Sequence, residues 1–282
     1  MNPFEIVQRT PKTNCRQCGY LTCLAFSAAV AKSGEAFGKC PYLDTAGLNA
    51  LPEQGGALEE ISGLRDLALV EHLKDKISGL DFSHIAGPLG ATLCGGNSQT
   101  LSFLFLGQKV LLDREGILLD GRTPDDPRDQ ILIYNYIHSQ GGTDPALEWI
   151  GLETLPNSIS KVRTLATYCE NRLAELFAHL PVETIMTGCH RLGGVAHPAP
   201  SATLGCIIPV LPKIPQYLVY WEPEPEEGFN ARVKILFDRQ VLNFLDLESL
   251  IFSAERLADR FALLLAKATP VVRPPEGHAP LL

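Results

Sequence analysis

The chain has 282 residues, 45% of them hydrophobic and 20% charged, with a mean hydropathy of +0.06. That composition supports a filled core and excludes a largely disordered chain. The formal net charge of −8 argues against general nucleic-acid binding, which needs a basic face, and no window approaches the ~18 uncharged apolar residues of a membrane span.

The first residues, MNPFEIVQRTPK, carry Glu5 and no apolar run. No export signal is therefore expected, and the cytoplasm is the expected compartment. Eight cysteines in that compartment read as free thiols or metal ligands rather than disulfides. Residues 1–43 hold Arg9, Lys12, Arg16, Lys32 and Lys39 against Glu5 and Glu35, a charge of +3, which leaves −11 for the remainder. Such asymmetry suggests two units with different tasks. The expected division is a cluster domain over 1–50 and a second domain over 61–282. LPEQGGALEE (51–60), with Pro52, Gly55 and Gly56, reads as the linker.

Beyond the linker, Leu64, Leu67, Leu69, Val70 and Leu73 predict a helix over about 61–76. A glycine-containing loop with His84 follows. Residues 100–119 read as short strands punctuated by Gly107 and Gly116. Asp129–Ser139 reads as a helix, with Tyr134 and Tyr136 at the edge of the core, and 159–180 as another helix that buries Cys169. Strands are expected over 201–222, interrupted by Pro209, Pro212 and Pro215, and over 231–237. Trp221-Glu222 with Glu224, Glu226 and Glu227 reads as a solvated acidic turn, the alternative being a cation or docking site. A last helix over about 247–268 precedes a proline-rich tail. Strands and helices do not alternate regularly, so the expected class is α+β: a small, mostly helical domain followed by a mixed α+β domain.

The sharpest chemical signal is Cys15, Cys18, Cys23 and Cys40, spaced C-x2-C-x4-C-x16-C. Four thiolates are the usual ligand set of a [4Fe–4S] cube. Cys15 and Cys18 fall on a tight loop where Gly19 permits close backbone approach. Thr22 is a plausible N-cap for a helix over about 23–32, with Gly34 as its stop. Cys23 would then sit at the positive end of the helix dipole, which favours a thiolate. Lys12, Arg16 and Lys39 would offset the negative charge of such a cluster. Zinc, the competing ligand, usually has paired C-x2-C halves, and only one half has that form here.

PKTNCRQCGYLTCLAFSAAVAKSGEAFGKCPYL resembles the Fe–S domain that opens the large subunit of the corrinoid iron–sulfur protein family of the acetyl-CoA pathway. The same small domain occurs in a ferredoxin-like subunit of membrane electron-transport complexes. The resemblance covers roughly residues 4–45. It implies that Cys15, Cys18, Cys23 and Cys40 bind one [4Fe–4S] cluster used for low-potential electron transfer; in the corrinoid protein the cluster re-reduces an accidentally oxidised cobalt. The rest of the chain is short for that protein's barrel and corrinoid-binding domain. It instead resembles a domain without assigned activity found behind such modules in anaerobic bacteria, through Ile131–Ile137, LPKIPQYLVYWEPEPEEGF and KILFD.

Further ligand candidates are Cys189, His190, His197 and Cys206, which fall within eighteen residues, and Cys94 in a loop. His84 is the last. His84-x-x-Gly87 fits the cobalt-ligating D-x-H-x-x-G motif, but Asp81 stands one place too early. Phosphate-loop and dinucleotide fingerprints are absent. The first expectation is an electron-transfer accessory protein that passes electrons from a redox partner protein to a cofactor or protein at the second domain. The alternative is an enzyme whose second domain binds a corrinoid or other tetrapyrrole. A third reading makes the cluster structural and oxygen-sensing.

Overall fold

The computed structural model describes residues 3–33, 35–45, 54–95 and 99–266. The chain divides into two compact units, Met1–Leu67 and Ala68–Leu282. The architecture is α+β, a helical N-terminal segment followed by helices and two antiparallel sheets.

The first unit holds α1 (Pro3–Gln8), α2 (Cys23–Ser33) and a single 3-10 turn at Phe37–Lys39. Alanine-rich LAFSAAVAK propagates α2 readily. Phe26 and Val30, four residues apart, share one face and bury against Ile6 and Cys40. Tyr20 closes the cluster edge-on to Phe26, with ring centroids 5.8 Å apart. Each such side chain contributes roughly 1.5–3 kcal/mol, too little for a segment this short to be stable without help. Chains below ~40 residues usually need a disulfide, a metal or a partner.

Helix α3 (Gln54–Ile77) begins inside the expected linker, so Gly55-Gly56 is helical rather than a break. Glycine costs only about 1 kcal/mol at a helical position, and the Leu- and Glu-rich run behind it is long enough to carry the pair. His84 likewise lies not in a loop but on a one-turn helix, α4 (Phe82–Ile85), capped by Asp81 Oδ1, which accepts from the Ser83 amide at 2.9 Å.

The first sheet of the second unit is an antiparallel meander of β1 (Thr92–Cys94), β2 (Thr100–Phe105), β3 (Gln108–Leu112) and β4 (Ile117–Leu119). Leu101, Phe103, Phe105, Val110 and Leu112 alternate onto the core face. The β2–β3 turn is Leu106-Gly107, with φ of 47° and 78°, the two left-handed residues of a type I′ hairpin. Gly107 is required twice over. Besides its φ, a Cβ there would lie 2.4 Å from the Arg191 carbonyl oxygen.

The second sheet has the order β5-β9-β8-β7-β6, from β5 (Trp149–Ile150), β6 (Val195–Ala196), β7 (Leu204–Leu211), β8 (Ile214–Trp221) and β9 (Arg232–Asp238). The single interrupted strand expected over 201–222 is a hairpin. Pro212-Lys213 makes its turn, while Pro209 and Pro215 face one another in the β7–β8 register. They do so where the sheet has narrowed to two strands. β6 pairs no further than Ile207 and β9 no further than Gln216, so neither proline interrupts a ladder. The Glu222–Gly228 turn after β8 is exposed.

Helices cover these sheets. α5 (Pro127–His138) starts with Asp126 as N-cap and Pro127 at the first helical position. Tyr134 and Tyr136 are not at the core's edge but fully buried. Residues two apart point to opposite sides of a helix, so α5 is covered on both sides, and Tyr136 donates to the Leu89 carbonyl at 2.6 Å. The helix expected over 159–180 is α6 (Ile159–Leu165), a π-helical turn (Ala166–Glu170) and α7 (Asn171–Phe177). Glu170 leaves that turn to accept the Ile235 amide of β9 at 3.1 Å.

The last helices are α8 (Val182–Arg191) and α9 (Leu247–Ala266). α9 buries Leu250, Ala254, Leu257, Phe261 and Leu265 along one stripe. A buried ion network joins it to α5. Asp129 accepts from Arg256 Nε and Arg260 Nη2, both at 2.8 Å. The end of the expected last helix, the proline-rich tail and the expected stop at Gly34 lie outside the described residues. Among those described, no helix is long and apolar enough to cross a membrane.

Candidate metal centre

The four N-terminal cysteines come from two kinds of backbone. Cys15 and Cys18 lie on the loop before α2, Cys23 is the first residue of α2, and Cys40 follows the 3-10 turn. In the loop, Lys12, Asn14 and Arg16 all have positive φ, at 56°, 51° and 63°, and Gly19 follows at 83°. Left-handed residues this dense fold the chain tightly. Turns of that kind gather backbone N–H groups into anion-binding concavities.

The start of α2 is fastened at two points. Thr22 is its N-cap, with Oγ1 accepting from the Ala25 amide at 3.0 Å. The Cys23 amide donates to Asn14 Oδ1 at 2.9 Å, which ties the cysteine loop to the helix. Cys23 stands at the positive end of an eleven-residue helix, where a thiolate is favoured. Cys23 and Cys40 are each 7% exposed. Cys18 packs beside Cys40 against the Ile6–Phe26–Val30 cluster, and Cys15 is exposed.

The surrounding charge differs in one respect from the sequence expectation. Lys39 is engaged by Glu35 at 2.9 Å, and Tyr20 donates to the same carboxylate oxygen at 2.6 Å. Those two hydrogen bonds, Tyr20's first, hold Glu35 down at about 2. Lys39 therefore offsets Glu35 before any cluster, and Lys12 and Arg16 are the exposed cations of the loop.

The donor set suits an iron–sulfur cube: four thiols, two of them on one small core, a loop dense in left-handed residues and a helix N-terminus that favours an anionic group. Among the described residues, no three His, Cys, Asp or Glu side chains stand close enough to share one metal ion. In a cube each thiolate has its own iron, which demands wider spacing than a single ion does.

Of the candidates in the second unit, the structure brings together Cys189 and Cys206 and leaves the others apart. His84 is exposed on α4 and pairs with Asp81 at 2.8 Å. Cys94 ends β1, half-buried, with Sγ 3.6 Å from the Thr100 carbonyl. His190 points outward from the last turn of α8. His197 packs against Tyr217 and Trp149, with centroids 5.0 and 6.4 Å apart. Cys189 and Cys206 do meet, one on α8 and one on β7, both fully buried. Their mutual hydrogen bond, and then burial, push the Cys189 thiol upward, while the same bond draws Cys206 downward. Sequence reasoning assigned no role to Asn14. Its place one residue before Cys15 was the available signal, but the amide it accepts from lies nine residues downstream.

Comparison with known proteins follows the same division. A family model described as "Putative Fe-S cluster" matches residues 11–42. The corrinoid/iron-sulfur protein large subunit of Moorella thermoacetica is 43% identical over 48 residues, 17% of this chain and 11% of that protein. Subunit gamma of the acetyl-CoA decarbonylase/synthase complex of Methanocaldococcus jannaschii is 36% identical over 45 residues, 16% of this chain and 9% of the other. The chain thus spans about a tenth of the length of these relatives. The matches support an iron–sulfur cofactor in the N-terminal segment. No solved structure gives a significant match. A second family model, "Domain of unknown function (DUF3786)", matches residues 81–260. That match covers more than half of the sequence, and the chain belongs to the DUF3786 family.

Proposed function

We propose that this is an electron-transfer accessory protein whose N-terminal module holds one [4Fe–4S] cluster on Cys15, Cys18, Cys23 and Cys40. It takes low-potential electrons from a redox partner protein and passes them to a cofactor or protein at the second unit, in the cytoplasm. When bound, the cluster supplies one-electron storage. The observation that carries the reading is the Cys23–Asn14 hydrogen bond, which fixes the cysteine loop to the helix start that favours thiolate. Cys23 and Cys40 sit away from water, while Cys15 lies at the surface, the side from which an electron can enter over a short distance. Lys12 and Arg16 on that loop raise the potential by offsetting negative charge.

Iron, sulfide and zinc analysis of anaerobically purified protein tests this, together with a visible spectrum before and after dithionite. About four irons per chain and a broad band that bleaches are expected. Zinc or bare thiols at these positions overturn the reading. Additional sharp bands transfer support to the alternative, an enzyme binding a corrinoid or other tetrapyrrole in the second unit.

A further inference from the structure

A cleft of about 830 Å³ opens beside the start of α5 and the last turns of α9, with the ends of β3 and β4 on its other side. A neighbouring hollow of about 640 Å³ shares Arg128, Arg172 and Asp259 with it and reaches Tyr168 of the π-helical turn. Volumes of this order hold a small metabolite, and π-helical turns often mark functional sites.

The cleft is built on a network of arginines and aspartates. Arg256 touches Asp126, Asp129 and Asp259 at 2.8 to 2.9 Å. Arg260 pairs with Asp129, Arg172 with Asp259, and Arg128 with Asp126. Four guanidinium groups thus meet three carboxylates around a core where the Arg256 and Asp129 side chains are 5% and 4% exposed, and Glu255 faces Arg128, Arg172 and Arg256 from the neighbouring hollow. At the rim, Asp120 is already engaged by the Lys109 amide and Gln108 Nε2, both at 2.9 Å. With Asp120, Arg122 and Asp125 counted, five arginines and five aspartates line the cleft. Selectivity here is therefore local and directional rather than the work of a broad field.

Two buried atoms of the lining have no hydrogen-bond partner among the described residues: Arg260 Nε, a donor, and Gln108 Oε1, an acceptor. Buried polar groups are nearly always hydrogen-bonded. A ligand with both an oxyanion and an O–H or N–H would satisfy both. A buried ionic network is also weak as a stabilising device on its own.

The geometry points to this cleft as a binding site for a small ligand bearing an oxyanion, phosphate or carboxylate, held by Arg260 Nε and Arg122, with Gln108 Oε1 accepting from the ligand. Guanidinium forks suit both anions. The inference does not rest on the iron–sulfur reading.

Calorimetric titration of the full chain with inorganic phosphate and, separately, malonate at constant ionic strength tests it. Saturable binding of one anion per chain is expected, and the anion that binds identifies the source of the oxyanion. Arg260→Lys keeps the charge opposite Asp129 but removes the Nε–H. Arg122→Ala removes an exposed arginine and leaves the fold intact. Each is expected to weaken binding about tenfold, the loss of one charge-assisted hydrogen bond. If Arg260→Lys does not fold, Arg122→Ala decides alone. Absence of saturable binding by either anion, or wild-type affinity in the folded variants, overturns the proposal.

Discussion

The Cys23 amide and Asn14 Oδ1 are joined by a 2.9 Å hydrogen bond across the loop that carries Cys15 and Cys18. Asn14→Ala leaves that amide unmatched and frees the loop from α2. A bond of this kind contributes about 1 kcal/mol. Iron loss under a fixed oxygen exposure is expected to be about fivefold faster than in the wild type, followed by the decay of visible absorbance. A decay rate equal to the wild type's would show that Asn14 does not hold the loop.

Alanine at Cys23 or Cys40 removes a ligand from the buried side of the proposed centre. Bound iron is expected to fall from about four per chain to near zero. Alanine at Cys169 or Cys206, which are buried in the second unit, should leave iron content unchanged, so the pair of measurements separates ligand loss from general destabilisation.

Glu35 titrates at about 2 instead of near 4.5, because Tyr20 and then Lys39 hydrogen-bond to its charged form. A carboxyl whose folded value is depressed stabilises the fold above its unfolded value, and that contribution is lost as pH falls from about 4.5 through about 2. Acid unfolding of the first unit is therefore expected to show a component in that window. Glu35→Gln should abolish it, as read from Tyr20 fluorescence.

Asp129 anchors Arg256 and Arg260 from the far side of the α5–α9 junction. Asp129→Ala takes from Arg260 the carboxylate it pairs with and leaves Arg256 held by Asp126 and Asp259, and is expected to cost about 1.5–3 kcal/mol in denaturant unfolding. Adding Arg260→Leu to that variant removes the charge left opposite the missing carboxylate and should recover part of the loss.

Gly107 and Gly121 have almost the same φ, 78° and 80°. Alanine at Gly121 meets no atom within 4 Å, whereas at Gly107 it would press on the Arg191 carbonyl. Gly121→Ala should cost about 1–2 kcal/mol, the left-handed penalty alone. Gly107→Ala should cost clearly more, and thermal melts of the two variants check the difference.

The features legible in the sequence are those set within a turn or two of chain. The cysteine spacing, the Thr22 cap and the α2 start are local, as is the Gly107 hairpin. What escaped depends on partners far along the chain. Asp129 and Arg256 lie 127 residues apart, and no periodicity couples them. Pro209, Pro212 and Pro215 look alike in sequence, yet one makes a turn and two sit in strands. That difference is set by where β6 and β9 stop. Tyr134 and Tyr136 suggested one covered face of a helix, but a second layer also closes over the other. Gly55-Gly56 reads as a break because glycine's cost is visible in the sequence and the length of helix that outweighs it is less so.

The facing prolines of β7 and β8 also bear on how the second sheet assembles. Neither can offer an N–H, so the two are tolerated only at the tip of the hairpin, beyond the reach of a third strand. Sliding one strand along the other would carry a proline into a stretch flanked on both sides, where the missing donor would leave a carbonyl stranded. The pair thus acts as a ratchet on alignment, rejecting offset hairpins before β6 or β9 arrives to seal them.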